Sequence, residues 1–293
     1  MEIPCKDIAS KIENQLKKEV AELSWQNITP KLVTILIGEE PDQLSFVKIK
    51  NRMAERIGVK FELLHRKNAP DFKTFLELVS KKANDKETSG IIIQQPMPKN
   101  YSSDKVYDKI PKGKEIEGFR QDSSFHFPLA LSVLTGLKYC ILKKLTSSDP
   151  IINSIIDFNK DKKLFFDFLK DKVVTIAGRG ATGGMPIQKA LNEIGISYFQ
   201  TNSKTKNPEE IYKKSDIIIT ATGKHMIKKE FLKPEVILLN VGLRKENNKL
   251  YGDYNDSDIK DIASYYTITP GGLGPLDVLY LFKNVIDACK KTV

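Results

Sequence analysis

The chain has 293 residues, 40% of them hydrophobic, and a formal charge of +10 from 47 Lys and Arg against 37 Asp and Glu. That length builds one large or two moderate cores, and no run approaches the roughly 20 apolar residues that a bilayer span needs. The excess charge is nearly all lysine, spread along the chain in short runs, so it reads as a solvated surface and not as the footprint of a nucleic-acid binder.

In chain order, apolar positions at helical spacing mark a helix over 5–24. KLVTILIG (31–38) reads as a strand, 43–57 as a helix, VKFELLH (59–65) as a strand, 71–83 as a helix, and GIIIQQ (90–95) as a strand stopped by PMP. Near-continuous β-branched runs between helices predict a parallel sheet covered on both faces. FPLALSVLTGLKYCILKKL (127–145) is one long helical pattern, and 147–168 reads as an irregular or helical connection with the domain boundary near it. A second alternating set follows: DKVVTIAG (171–178), a helix from about 184, ISYFQT (196–201), a helix over 208–214, SDIIITATG (215–223) and VILLNVG (236–242). A last helix from about Pro275 to Lys291 is long enough to cross back onto the first domain. The expectation is an α/β protein of two domains with parallel sheets, 1–145 completed by 275–293, and 146–274.

The charged start MEIPCKDIASK lacks the apolar run of a secretory signal, so a soluble cytoplasmic protein is expected. Cys5, Cys140 and Cys289 have no CxxC or CxxH spacing and read as small buried hydrophobes in a reducing compartment. His65, His126 and His225 are equally isolated, and no metal site is expected.

VTIAGRGATGGMPI (174–187) carries the first chemistry. Gly178, Gly180 and Gly183 fit G-x-G-x-x-G, with Gly184 following, between a strand and a helix. Glycines allow a tight turn and close approach of the backbone, and a helix N-terminus offers free N–H groups to a phosphate. The reading is dinucleotide binding; the bland alternative is a turn without ligand. The next strand runs out into YFQTNSKTKN (198–207), which has no acid to hold a ribose 2′-hydroxyl. Ser203, Lys204 and Thr205, with Arg179 in the glycine loop, suit a 2′-phosphate instead. NADP is therefore expected, with NAD as the alternative, against the plain reading of surface lysines.

The helix over 43–57 carries the second. Phe46, Lys50, Met53 and Ile57 fall at i, i+4, i+7 and i+11, so Lys50 interrupts an otherwise apolar stripe. Two readings stay open: a stem that packs while its ammonium reaches water, or a lysine held in a cleft to exchange a proton.

Nearly the whole chain resembles the bifunctional methylenetetrahydrofolate dehydrogenase/cyclohydrolase family. The resemblance runs through PKLVTILIGEEPDQLSFVKIKNRMAERIGV, GIIIQQPMPK, KGKEIEGF, VVTIAGRGATGGMPI, SDIIITATGK, VILLNVG and TPGGLGPLD, and leaves out 146–170. It implies two α/β domains with a cleft between them, the C-terminal one Rossmann-like and holding NADP, and a homodimer. It also implies a cytoplasmic role in one-carbon metabolism and purine biosynthesis, with tetrahydrofolate derivatives as ligands and neither nucleic acid nor membrane as a partner.

The resemblance also assigns roles. Lys50 takes the place of the family's active-site lysine, and Gln94 that of the glutamine that holds it. Phe46 stands where the family has tyrosine, so a ring can stack on the pterin without the hydroxyl; Gln43 replaces a serine on the same helix. Glu117 replaces the aspartate that pairs with the pterin's amino-pyrimidinone edge. Pro270, Gly271 and Gly272 fall at the folate and nicotinamide junction, and Thr222 and Gly223 beside the cofactor. The implied chemistry is oxidation of 5,10-methylenetetrahydrofolate by NADP, then hydrolysis of the methenyl product to 10-formyltetrahydrofolate. The departures at Gln43, Phe46 and Glu117 leave two rivals: a dehydrogenase alone, or a binding homologue without turnover.

Overall fold

The computed structural model describes residues 1–145, 150–247 and 249–291. In chain order the elements are α1 (Cys5–Trp25), β1 (Lys31–Ile37), α2 (Pro41–Ile57), β2 (Lys60–Arg66), α3 (Phe72–Ala83), β3 (Gly90–Ile93), α4 (Ser103–Tyr107) and α5 (Pro128–Leu145). They continue as α6 (Phe158–Leu169), β4 (Val174–Ala177), α7 (Gly184–Ile194), β5 (Phe199–Thr201), α8 (Pro208–Tyr212), β6 (Ile217–Thr220) and β7 (Val236–Asn240). The last are β8 (Arg244–Glu246), β9 (Lys249–Tyr251), α9 (Asp256–Ile259), β10 (Ala263–Tyr266) and α10 (Leu273–Lys290). Two compact units result, one of Ile12–Pro128 with Val278–Val293, the other of Met1–Lys11 with Leu129–Asp277.

In the first unit three parallel strands lie in the order β2-β1-β3. Every residue of β1 and β3 is buried, which explains their unbroken apolar runs. Val33, Ile35, Ile91 and Ile93 pack with Phe75 and Val79 of α3. The one charge in β1, Lys31, is 5% exposed and meets Glu62 at 2.8 Å. The C-terminal part of α10 belongs to this unit, as its length led us to expect.

The second unit holds five parallel strands in the order β10-β7-β6-β4-β5. Counted along the chain this is a 2-1-3-4-5 doubly wound sheet, with its topological switch point between β4 and β6. Residues 147–149 of the expected connection lie outside the described residues; the rest holds α6, capped by Asp157 and burying Phe165 and Leu169. β10, the β8–β9 hairpin, α4 and α9 have no counterpart in the sequence reading. They are elements of three to five residues, too short for periodicity to register.

The division also falls elsewhere than expected, at 128/129 and 277/278 in place of 145/146 and 274/275. α5 belongs with the second unit, where a Cβ on Gly136 would lie 3.4 Å from Leu239 of β7. An apolar helix announces that it is buried but not which sheet it covers.

Candidate active site

Pro41 opens α2 at its first turn and left-handed Gly58 closes it. The buried face is Gln43, Val47, Met53, Ala54 and Ile57, with Lys50 half-buried on it. Phe46, expected in that stripe, is instead 45% exposed. Its place on the buried face goes to Gln43, which α2 can bury because its Nε2 donates to the Pro96 carbonyl at 2.9 Å.

A second bond ties the same helix to the loop after β3. Lys50 Nζ donates to Gln94 Oε1 at 2.9 Å. Gln94 is itself fixed: its backbone N–H extends the ladder to Ile35 of β1 (2.9 Å), and its Nε2 donates to the Gln95 carbonyl (3.2 Å). That second bond turns the amide oxygen toward the lysine. Gln95 donates to the Tyr107 hydroxyl (3.1 Å), and Tyr107 stacks on Phe119 with centroids 4.9 Å apart.

Glu117 lies half-buried in the loop that follows. The loop is wound around Glu115, a fully buried carboxylate that accepts the N–H groups of Glu117 (2.9 Å), Gly118 (3.0 Å) and Arg120 (3.3 Å). From α10, Asn284 donates to the carbonyls of Ile116 (2.8 Å) and His126 (3.1 Å). Burial, and then the charge of Glu117, push the Tyr107 hydroxyl above its ordinary range. Sequence reasoning missed Glu115 and Asn284. The one available signal was a second acid two places before Glu117 in KEIEGF.

In the second unit the glycine loop and the residues after β6 meet at the switch point. A Cβ on Gly178, at φ +116°, would overlap the Ala221 carbonyl oxygen, and one on Gly184 would overlap the Gly178 carbonyl. A Cβ on Gly183 would lie 3.2 Å from Ala221 Cβ. These three glycines answer to the packing of the chain itself. Gly180 does not: nothing lies within 4 Å of its added Cβ. α7 starts at Gly184 with no side-chain cap; the Met185 N–H donates to the Gly180 carbonyl (3.1 Å) and Pro186 has none, so it is the Gly184 N–H at this terminus that suits an anion.

Arg179, Ser203 and Lys204 are exposed around this loop. Thr205 is committed to the turn after β5, where its hydroxyl accepts the Asn202 N–H at 2.9 Å. Thr222 and Gly223 follow β6, and the Thr222 N–H donates to Asp253 at 2.8 Å. Burial pushes the Asp253 carboxyl above the usual carboxylate range, against N–H donors that pull it down. Pro270, Gly271 and Gly272 follow β10, with Gly271 so close to Lys6 that a Cβ would stand 2.7 Å from its Cε. The expected site residues thus form two groups. Gln43, Phe46, Lys50, Gln94 and Glu117 lie in the first unit and the others in the second.

Among the described residues no group of three or more His, Cys, Asp or Glu could hold a metal ion, and no helix is long and apolar enough to cross a membrane.

Comparison with known proteins adds the following. The family model for the tetrahydrofolate dehydrogenase/cyclohydrolase catalytic domain matches residues 3–117, and that for the NAD(P)-binding domain matches 155–293. The bifunctional protein FolD of Brevibacillus brevis is 30% identical over 289 residues, covering 98% of this chain and 96% of the relative. That of Bacillus licheniformis is 31% identical over 294 residues, with the same coverage. Among solved structures, the bifunctional FolD of Campylobacter jejuni aligns with a TM-score of 0.85 at 24% identity, covering 100% of this chain and 99% of that one. The Trypanosoma brucei enzyme, solved with NADP and an inhibitor, aligns at 0.77 and 22%, covering 99% and 97%.

Proposed function

The chain belongs to the tetrahydrofolate dehydrogenase/cyclohydrolase family, and we propose that it oxidises 5,10-methylenetetrahydrofolate with NADP and hydrolyses the methenyl product to 10-formyltetrahydrofolate. The observation that carries this reading is the Lys50–Gln94 hydrogen bond of 2.9 Å, one helical turn from the exposed ring of Phe46. It sets an oriented amine beside an aromatic face that a pterin can cover.

The residues present fit the cofactor. The open space at Gly180 and the uncapped start of α7 suit a pyrophosphate, and Arg179, Ser203 and Lys204 suit a 2′-phosphate. NADP, when bound, accepts the hydride. The chain's own work in that step is orientation, with Phe46 and Glu117 holding the pterin and Pro270–Gly272 the junction.

In the second step water attacks the cationic methenyl carbon. A C–O bond forms and the C–N5 bond breaks; of the two protons the water gives up, one ends on N5 and the other is released, leaving the formyl group on N10. Lys50 moves those protons, and Gln94 holds its Nζ in place. A homodimer working in the cytoplasm, and a supply of one-carbon units to purine synthesis, complete the reading. Sedimentation of the purified protein checks the dimer.

The test is a coupled spectroscopic assay. One trace follows nicotinamide reduction with 5,10-methylenetetrahydrofolate, and another follows loss of methenyltetrahydrofolate above the buffer rate. Both activities are expected. Lys50→Met is expected to lower hydrolysis by about 10²- to 10⁴-fold while hydride transfer persists. No turnover in a folded protein that still binds folate overturns the assignment. Hydride transfer alone supports the narrower reading that the missing Phe46 hydroxyl suggests.

A further inference from the structure

VILLNVG (236–242) has no part in the roles above, yet it carries a buried side chain that makes four hydrogen bonds within the second unit. Asn240 closes β7 and is 4% exposed. Its Oδ1 accepts the Thr220 hydroxyl (2.9 Å) and the Asp253 N–H (2.8 Å). Its Nδ2 donates to the Gly242 carbonyl and the Thr269 hydroxyl, both at 2.9 Å. Asp253 is fully buried, and its two carboxylate oxygens accept the N–H groups of Thr222 (2.8 Å) and Lys224 (3.1 Å).

Two glycines make room for this network. A Cβ on Gly242 would overlap both carboxylate oxygens of Asp253. One on Gly252 would lie 2.7 Å from both Asn240 Nδ2 and Thr269 Oγ1. The network therefore joins the loop after β6, the turn after β7 and the loop after β10. All three leave the carboxyl ends of parallel strands, where ligands bind in open α/β sheets. Fully satisfied buried networks of this kind fix one arrangement of their parts.

We infer that Asp253 and Asn240 are positioning residues that hold the Thr222–Gly223 loop and the Thr269–Gly272 loop in one register for NADP. This rests on the reading that Thr222 and Gly223 face the cofactor. Neither side chain touches a reacting atom. Asp253 presents two oxygens to two N–H donors and so fixes the backbone that faces the glycine loop across the switch point. Asn240 carries that constraint to Thr269.

Calorimetric titration of NADP into the full-length protein, with thermal melts and both activity traces, tests the inference. In Asp253→Asn one oxygen becomes an NH2 that faces an N–H donor. The expected result is at least tenfold weaker NADP binding, with hydrolysis of methenyltetrahydrofolate within twofold of wild type when measured without NADP. Thr269→Val removes only the far link and is expected to weaken NADP binding about threefold. It serves as the test where Asp253→Asn does not fold. Unchanged NADP affinity in a folded variant overturns the inference, and so does equal loss of both activities, which marks a merely structural role. Wild type that binds no NADP overturns the cofactor reading and the inference with it; wild type that binds, beside variants that bind equally well, overturns the inference alone.

Discussion

At Gly180 a side chain would meet nothing of the protein, whereas at Gly184 it would run into the Gly178 carbonyl. The two positions therefore separate folding from binding. Gly180→Ala is expected to leave stability within about 0.5 kcal/mol and to raise the KM for NADP about tenfold. Gly184→Ala is expected to cost about 3 kcal/mol or more through overpacking. Denaturant melts and steady-state kinetics read the two effects apart. Phe46 offers a parallel case on the other unit. Its ring is 45% exposed, so Phe46→Ala should leave the melt unchanged. Losing a stacking contact of about 1 kcal/mol should raise the KM for folate about fivefold. The sequence made the glycine pattern and the lysine helix legible because both rest on local spacing. It could not tell which glycine answers to a ligand. That depends on Ala221, brought beside the loop by strand order. Asn240 and Asp253 were equally hidden, since their partners Thr220 and Thr222, at the end of β6, and Thr269, after β10, lie far from them in sequence.

Among the elements, β1 and β2 share a charged pair whose strength depends on pH. Hydrogen bonds from Lys31 and then Lys82 hold the Glu62 carboxyl below its ordinary value. The bond to Glu62, against opposing desolvation, holds Lys31 above its own. A lowered carboxyl stabilises the fold above its unfolded value of about 4.3 and stops doing so as the pH falls through its folded value. A raised lysine stabilises below about 10.4 and stops doing so as the pH rises through its folded value. Glu62→Gln should therefore cost about 1–3 kcal/mol at neutral pH, and the gap from wild type should close under acid. Urea melts between pH 3 and 7 measure this. β1 and β3 were readable because burial on both faces makes a strand continuously apolar. β10 was not: two of its four residues are partly exposed, and it joins the sheet through long-range pairing with β7.

At the scale of the molecule, the division between the units falls inside α1, between Lys11 and Ile12, and inside α10, between Asp277 and Val278. Unfolding one unit therefore breaks a helix that the other shares. A single calorimetric transition is expected, and NADP should move all of it upward. Two separate transitions would contradict that shared cooperativity. Which sheet α5 covers is a fact at this scale too, which is why helical periodicity alone put the boundary at its far end.

The crossing in α10 also bears on the order in which the protein is made. The strands β1, β2 and β3 leave the ribosome early, but Asn284, which holds the Ile116 and His126 carbonyls on either side of Glu117, is added 158 residues after His126. At roughly 5–20 residues per second, the nascent first unit waits many seconds for its closing helix, with the Glu117 loop unpinned until then. A chain released before Asn284 is made therefore lacks one of the anchors of the loop around Glu117.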